Sequence, residues 1–182
     1  MNRIIACVLS LVVVVSIALA QNPAVESAAL RGPKATAAFE ALKKLSGEWQ
    51  GKSTKGWTEK VTYDVIAGGS VLMERSFGAH PNEWMATMIH MDGDRLLLTH
   101  YCVAKNQPRL AATKIAADLS SITFEFLDAT NLPSRDKGHM DKVVFRLPGA
   151  DRFTSRWTWC QDGKETWREE IEHRRAPASA SR

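Results

Sequence analysis

The segment from Gly47 to His173 alternates apolar and polar residues and is rich in β-branched and aromatic side chains. Turn-forming residues interrupt the alternation about every eight to twelve positions, which is typical of short antiparallel strands joined by tight turns. No helical periodicity interrupts the series, so the sequence predicts an all-β domain. The ten predicted strands span residues 47–54, 57–66, 70–77, 83–90, 95–103, 109–115, 121–127, 141–147, 152–160 and 165–173.

The residues before Gly47 follow a different pattern. Phe39, Leu42 and Leu45 are spaced three apart and are followed by Gly47, which predicts one short amphipathic helix that ends at a glycine. The preceding segment, residues 21–33, is rich in alanine and polar residues and contains two prolines, so we interpret it as a linker.

Turn residues at 91–94 and 161–164 favour hairpins between successive strands. Ten antiparallel strands in an open sheet would leave two unpaired edges, and closing the sheet into a barrel removes both. The predicted fold is therefore a ten-stranded antiparallel up-and-down β-barrel preceded by one short N-terminal helix, and the whole domain covers residues 34–175. A two-sheet sandwich has the same strand spacing and is the alternative.

The beginning of the chain predicts export. Arg3 precedes an apolar segment over residues 4–17, and residues 18–20, Ala-Leu-Ala, offer the small side chains that a signal peptidase requires. We therefore expect a cleaved signal peptide over 1–20 and a periplasmic or secreted mature chain without a transmembrane anchor. The short polar tail over 176–182 is expected to be disordered.

Charge and motifs exclude several function classes. The chain carries 24 lysines and arginines against 20 aspartates and glutamates, and the small basic excess is scattered. Nucleic-acid binding needs a basic stripe or patch, so we expect no nucleic-acid partner. The sequence has no Gly-x-Ser-x-Gly elbow, no phosphate-binding glycine loop and no His-Glu-x-x-His motif. We therefore expect a binding protein rather than an enzyme.

Residues 47–49, Gly-Glu-Trp, come directly after the predicted helix and begin the first predicted strand. This motif and its position resemble the Gly-x-Trp signature of the calycin superfamily, which contains the lipocalins and the fatty-acid-binding barrels. The resemblance implies that Trp49 closes the base of the barrel. It also implies that an arginine after the last strand, Arg174 or Arg175, packs over the tryptophan ring.

Two further likenesses concern the whole domain. The segment from Phe39 to Arg175 resembles small exported bacterial barrel proteins of unknown function, in which a stretch like Thr99 to Arg109, THYCVAKNQPR, occurs. The count of ten strands is similar to that of fatty-acid-binding proteins and of nitrobindin-type haem barrels. Barrels of this kind host many functions, so these likenesses imply a fold without choosing a ligand.

Because successive strands reverse direction, alternate links lie at the same end of the barrel. The short links fall at the end with the helix, here called the base: 67–69, 91–94, 116–120 and 148–151. The other links, which include the longest one, fall at the opposite end, here called the mouth: 55–56, 78–82, 104–108, 128–140 and 161–164. The chemically useful residues at or near the mouth are His80, His100, Cys102, Asn106, Gln107, Arg109, His139 and Cys160, whereas His90 and His173 fall at the base.

We hypothesise that the barrel binds a small apolar or amphipathic molecule in its interior. The predicted wall consists of five aromatic residues, namely Trp157, Trp159, Trp167, Phe124 and Phe126. The predicted polar groups at the mouth are His100, Gln107, Arg109 and His139. Two arginines in otherwise apolar strands, Arg75 and Arg156, either face solvent or anchor an acidic head group, and the outward orientation is favoured because a buried charge needs a partner.

An alternative hypothesis is a haem or transition-metal site. His100 and Cys102 lie on one face of the predicted strand 95–103, because side chains two residues apart point the same way. With His139 or Cys160 they offer the nitrogen and sulfur ligands of a zinc or copper site. Without a metal, His100 hydrogen-bonds a loop carbonyl and Cys102 packs as a small apolar residue. Cys102 and Cys160, the two cysteines outside the predicted signal peptide, form either a disulfide or free thiols. Export favours the disulfide, whereas their separation by four strands favours free thiols.

The predicted strands 83–90 and 95–103 are apolar on both faces. Some structure therefore covers their outer face, either the N-terminal segment or a second copy of the chain in a homodimer. This is the one sequence feature that favours a third hypothesis, a non-catalytic interaction role in the cell envelope.

Overall fold

A computed structural model describes residues 22–80 and 83–177. The predicted signal peptide, the side chain of His80 and residues 178–182 of the predicted tail lie outside the described part of the chain. Within the described ranges, no helix is long and apolar enough to cross a bilayer.

The described chain forms one closed barrel of ten antiparallel strands. The strands are β1 (Gly47–Ser53), β2 (Thr58–Ile66), β3 (Val71–His80), β4 (Glu83–Asp92), β5 (Arg95–Tyr101), β6 (Gln107–Ile115), β7 (Ser121–Thr130), β8 (His139–Gly149), β9 (Arg152–Gln161) and β10 (Lys164–Arg175). Each strand pairs with its neighbours in sequence, and β1 closes the sheet by pairing with β10. The predicted up-and-down barrel is therefore confirmed, and the sandwich alternative is wrong.

Strand alternation separates the inside of the barrel from its surface. In β2, Val61 and Tyr63 are fully buried inside the barrel, whereas Lys60 is exposed on the outside and Thr62 is half-buried. The same period of two residues assigns an inner and an outer face to every strand.

Two helices precede the barrel, α1 (Pro23–Ala28) and α2 (Pro33–Lys43), and a 3-10 turn over Ala67–Gly69 joins β2 to β3. The segment interpreted as a linker therefore contains a helix instead. Helix α1 packs on the outside of the barrel, where Val25 and Ala29 join a buried apolar cluster with Leu97, Ala111 and Leu127. The chain itself thus covers part of the apolar outer face that had favoured an interaction role.

Helix α2 closes the base of the barrel. Phe39 and Leu42 on this helix are buried in the same apolar core as Trp49 on β1. The Nε1 of Trp49 donates a hydrogen bond to the carbonyl oxygen of Leu45, at 2.7 Å, so the buried indole has its polar atom satisfied. The helix and the first strand therefore form one packed unit.

Arg175 packs over the outer side of this unit. Its guanidinium carbon lies 4.3 Å from the centre of the Trp49 ring. The same guanidinium donates hydrogen bonds to the carbonyl oxygens of Ser46, at 2.9 Å, and Ala150, at 3.0 Å. Of the two arginines considered from the sequence, Arg175 makes the contact with the tryptophan, whereas Arg174 is exposed and pairs with Glu172.

The half of the barrel next to the base has a solid aromatic core. The rings of Trp49 and Phe153 meet edge to face at 4.7 Å, and Tyr63 meets Phe153 at 5.7 Å. Phe124 and Phe145 pack edge to face at 6.1 Å in the same core. This packing leaves the mouth half as the place where the interior can hold a ligand.

Candidate functional site

The mouth half of the barrel contains a cavity of about 680 Å³, here called the mouth cavity. The links after β1 and β5 contribute to its wall, so it lies at the end of the barrel that the sequence predicted as the mouth. Its volume is within the range of small-molecule sites. The lining consists of Lys55, Trp57, Glu59, Glu74, Ser76, Met85, His100, Cys102, Val103, Ala104, Met140, Trp157, Trp159, Trp167, Glu169 and Ile171.

Four tryptophans contribute to this wall. Trp157 and Trp159 come from β9 and Trp167 comes from β10, and the last two are directly opposite each other across the strands. These three were predicted from the sequence. Trp57, just before β2, was missed, although it has the same alternation as the inward-facing Val61.

Three glutamates also line the mouth cavity: Glu59 on β2, Glu74 on β3 and Glu169 on β10. Their exposed fractions are 8%, 5% and 3%, which is unusual for carboxyl groups without cationic partners. None of the three was predicted from the sequence. The available signal was alternation, because each lies two residues from an apolar inward-facing neighbour, as Glu59 does from Val61.

Burial changes the protonation of these carboxyl groups. Loss of water raises the pKa of Glu59 to about 8, and the nearby charges of Glu74 and Glu169 raise it in the same direction. Burial also raises the pKa of Glu74 to about 7, against the opposing effect of the Thr87 and Tyr63 hydroxyls. The pKa of Glu169 is raised as well, again mainly by burial. Near neutral pH, Glu59 therefore largely retains its proton, and Glu74 is about half protonated.

Tyr63, Glu74, Thr87 and His100 form one row around the inside of the barrel, each opposite the next on β2 to β5. A hydrogen bond of 3.0 Å joins the Thr87 Oγ1 to the His100 Nδ1. Burial lowers the pKa of His100 to about 4, so its imidazole is neutral. The His100 Nε2 and the Glu74 Oε2 have no hydrogen-bond partner among the described residues, although both side chains line the mouth cavity. A ligand can satisfy these two buried atoms.

His173 lies behind Glu59, outside the cavity lining. Its Nδ1 is 4.0 Å from the Glu59 Oε1, and its Nε2 is hydrogen-bonded to the Ser155 hydroxyl at 3.0 Å. Burial lowers the pKa of His173 to about 3, so this imidazole supplies no positive charge to Glu59. Gly51 makes room for the glutamate, because a Cβ at this position would lie 2.7 Å from the Glu59 Cγ.

Five of the predicted ligand-binding residues lie outside the mouth cavity, namely Gln107, Arg109, His139, Phe124 and Phe126. Arg109 forms an ion pair with Asp128. The Gln107 side-chain oxygen accepts a hydrogen bond from the Thr130 hydroxyl at 2.6 Å. These two polar groups therefore bind neighbouring side chains of β7 instead of facing the cavity.

The remaining predicted residues belong to other parts of the barrel. His139 packs against Phe126, with ring centres 4.4 Å apart, and its Nδ1 is hydrogen-bonded to the carbonyl oxygen of Lys137 at 2.6 Å. Phe124 belongs to the solid core. Neither Arg75 nor Arg156 lines the mouth cavity, so neither anchors a head group there.

The four candidate metal ligands divide between two places. His100 and Cys102 line the mouth cavity, whereas His139 and Cys160 are opposite each other on β8 and β9. Both cysteines are free thiols, so the disulfide is not formed, and burial raises the pKa of the Cys102 thiol. Across residues 22–80 and 83–177, no three His, Cys, Asp or Glu side chains are grouped in a way that could hold a metal ion.

Comparisons with known proteins place the fold without naming a function. No protein-family model matches the chain, and no curated protein matches it. Among solved structures, the chain resembles a Nostoc punctiforme protein of unknown function that belongs to the DUF3598 family, with a TM-score of 0.51 and 11% sequence identity. The match covers 74% of this chain and 49% of that one, so this chain spans about half the length of its structural neighbour. At this identity the match shows a shared fold alone.

Proposed function

We propose that this protein is an exported barrel that binds a small apolar or amphipathic molecule in the mouth cavity. The observation that supports this function is a void of about 680 Å³ whose wall combines four tryptophans with two unpartnered buried polar atoms. An apolar wall with a few convergent polar groups is typical of small-molecule sites. Export is proposed from the apolar segment and the small residues within 1–20.

The contrast between the two halves of the barrel strengthens the proposal. In the base half, large side chains such as Trp49, Phe145 and Phe153 fill the interior completely. Side chains do not fill the mouth half, so its wall makes fewer dispersion contacts within the protein than the base half does. A ligand that fits the mouth cavity restores those contacts and stabilises the fold by mass action.

Haem is a second candidate because His100 faces the mouth cavity. Its neutral imidazole with an unpartnered Nε2 is the form of histidine that binds iron. Haem is disfavoured because it would bring two carboxylates to a cavity that Glu59, Glu74 and Glu169 already line, and no positively charged group among the described residues offsets the Glu59 and Glu74 carboxyls. We therefore favour a small organic ligand over haem.

A cavity-filling substitution tests the proposed function. Ser76 lines the mouth cavity, and Ser76→Trp places a large ring in the space that the ligand needs. We expect this variant to bind the neutral fluorescent probe N-phenyl-1-naphthylamine at least about tenfold more weakly than the unmodified protein. Ser70→Trp is the control, because Ser70 is exposed in the turn before β3, at the base.

A second variant keeps the test valid if Ser76→Trp does not fold. Ala104 lines the mouth cavity at an exposed position, so Ala104→Trp can obstruct the opening without disturbing the core. We expect weaker probe binding for this variant too. If the unmodified protein does not bind the probe, or if both cavity variants bind it as well as Ser70→Trp does, the mouth cavity is not a binding site.

A further inference from the structure

Building on the proposed function, we propose that the ligand is an organic cation whose ammonium group binds to the Glu74 carboxylate inside the mouth cavity, which Glu59 and Glu169 also line. The tryptophans contact the apolar part of the same molecule. The proposed function specifies only a small apolar or amphipathic molecule. The present proposal adds the charge of that molecule and its chemical class, an amphipathic amine.

None of the three acids of the mouth cavity forms an ion pair with a lysine or arginine in the described part of the chain. Among the described residues, no lysine or arginine nitrogen lies within 4.0 Å of Glu59, Glu74 or Glu169. Besides the neutral imidazole of His100, the described lining contains one positively charged side chain, Lys55. The Lys55 Nζ lies over the Trp167 ring, 6.0 Å from the ring centre, and its charge lowers the pKa of Glu169 against the larger effect of burial. Lys55 thus acts on Glu169 alone, and no cation acts on Glu59 or Glu74 among the described residues.

Two carboxylates elsewhere on the barrel each pair with an arginine. The Asp64 Oδ2 lies 2.8 Å from an Arg75 nitrogen, and Asp128, whose side chain is only 6% exposed, pairs with Arg109. A buried carboxyl group without such a partner is costly, because it either loses its hydration as a charge or has to hold a proton. The three unpaired acids therefore indicate that the missing positive charge is brought by the ligand.

Two buried atoms indicate where the ammonium group binds. The Glu74 Oε2 and the His100 Nε2 are unpartnered among the described residues, and both side chains face the mouth cavity. Thr87 lies opposite both residues and holds the other ring nitrogen of His100 at 3.0 Å, which directs the Nε2 away from the wall. An ammonium N–H donates to a carboxylate oxygen in a charge-assisted hydrogen bond, and the Glu74 Oε2 is free to accept it.

The aromatic wall suits the same class of ligand. Trp57, Trp157, Trp159 and Trp167 offer ring faces, which attract cations, together with apolar surface for a hydrocarbon chain. Lys55 already lies over one of these rings. An anionic head group would meet three acids instead, so the lining selects against fatty-acid-like ligands.

The carboxyl groups of the mouth cavity can change their protonation when the ligand binds. Burial raises the pKa of Glu59 to about 8 and that of Glu74 to about 7, so the empty cavity avoids repulsion between carboxylates. A bound ammonium group favours the charged form of its carboxyl neighbour. The carboxyl proton then leaves to solvent, and an ion pair forms in its place.

Three ten-carbon ligands test the sign of the charge. At pH 7, decylamine is a cation, decanol is neutral and decanoate is an anion. We expect decylamine to displace N-phenyl-1-naphthylamine at a concentration at least about tenfold lower than decanol, with decanoate the weakest competitor. Equal displacement by decanol and decylamine, or tighter binding of decanoate, would show that the ligand is not a cation. The proposed binding of a small molecule would still stand. Failure of the unmodified protein to bind the probe would remove both.

A charge-removing substitution tests the assigned carboxyl group. Glu74→Gln keeps the shape of the side chain, and we expect it to weaken decylamine binding about tenfold while changing decanol binding by less than about twofold. Glu170→Gln is the matched control, because Glu170 faces outwards on β10, where its Oε2 lies 3.2 Å from an Arg146 nitrogen. If Glu74→Gln binds decylamine as tightly as Glu170→Gln does, the proposal is wrong. Should Glu74→Gln fail to fold, the ligand series on the unmodified protein decides the question.

Discussion

Glu59, Glu74 and Glu169 are placed inside the barrel by the same alternation that buries their apolar neighbours. Removal from water disfavours the charged form of a carboxyl group, so the pKa of Glu59 is raised to about 8 and that of Glu74 to about 7. Burial acts on imidazoles in the opposite direction, and the pKa values of His100 and His173 fall to about 4 and about 3. At neutral pH, Glu59 and both imidazoles are therefore largely uncharged, whereas Glu74 is about half ionised.

The free energy of unfolding should fall as the pH rises from 6.5 to 8. Above pH 4.5 the unfolded chain releases glutamate protons that the folded barrel retains on Glu59 and Glu74, so a higher pH favours unfolding. His100 and His173 lower the stability of the fold below pH 6.5, where the unfolded chain protonates these imidazoles more readily than the folded barrel does. Above pH 6.5 they are neutral in both states and change the free energy of unfolding little. We expect a loss of about 2 kcal/mol across this window, measured by urea denaturation.

A pair of variants isolates the carboxyl groups responsible for this loss. Glu59→Gln combined with Glu74→Gln should flatten the dependence of stability on pH between 6.5 and 8. The outward-facing Glu170→Gln should leave that dependence unchanged. A free energy of unfolding that is constant or rises over this window in the unmodified protein would show that the two glutamates ionise normally.

At the scale of elements, the barrel is closed where β1 meets β10 and is capped by α2. Arg175 connects these parts, since one guanidinium contacts the Trp49 ring and donates to carbonyl oxygens after α2 and in the link between β8 and β9. Hydrogen bonds from a charged donor and a cation–π contact each stabilise more than an exposed ion pair does. Arg175 therefore ties the strand closure to the cap of the base.

Arg175→Ala should lower the free energy of unfolding by about 2 kcal/mol, because it removes both the cation–π contact and the hydrogen bonds. Arg174→Ala is the control at the neighbouring position, where the side chain is exposed and pairs only with Glu172. We expect this control to cost less than about 0.5 kcal/mol. Urea denaturation measures both values, and equal losses for the two variants would refute a specific role of Arg175 in closing the base.

The strands could be predicted from the sequence because their alternation is local and is repeated ten times. Helix α1 could not be predicted, since six residues carry too little periodicity to indicate a helix. Its stability comes from tertiary packing, in which Val25 contacts the cluster around Leu97 and Ala111. Such a contact joins distant parts of the chain and leaves no local pattern.

The candidate site could be predicted only in part. Alternation correctly indicated that Trp157, Trp159 and Trp167 face the interior. The same alternation places Glu74 inside, but a sequence pattern does not reveal whether the interior at that level is packed or hollow. Arg109 was predicted as a ligand-binding residue only because it lies near the mouth. Its side chain instead forms an ion pair with Asp128, which the sequence pattern does not reveal.

At the scale of the whole molecule, the barrel has a solid base and a hollow mouth. The base carries the aromatic core and the cap formed by α2, and these parts hold the cylinder in shape. The mouth carries the cavity of about 680 Å³, with its tryptophans and unpaired acids. This division separates the residues that stabilise the fold from those that we propose to bind the ligand.

Native mass spectrometry of the protein purified from its own host tests the central claim most directly. We predict that one small molecule with a basic group accompanies each chain of the unmodified protein and is absent from Ser76→Trp, whose mouth cavity is filled. An unmodified chain that has the same mass under native and denaturing conditions, and whose mouth cavity does not take up N-phenyl-1-naphthylamine, would contradict it.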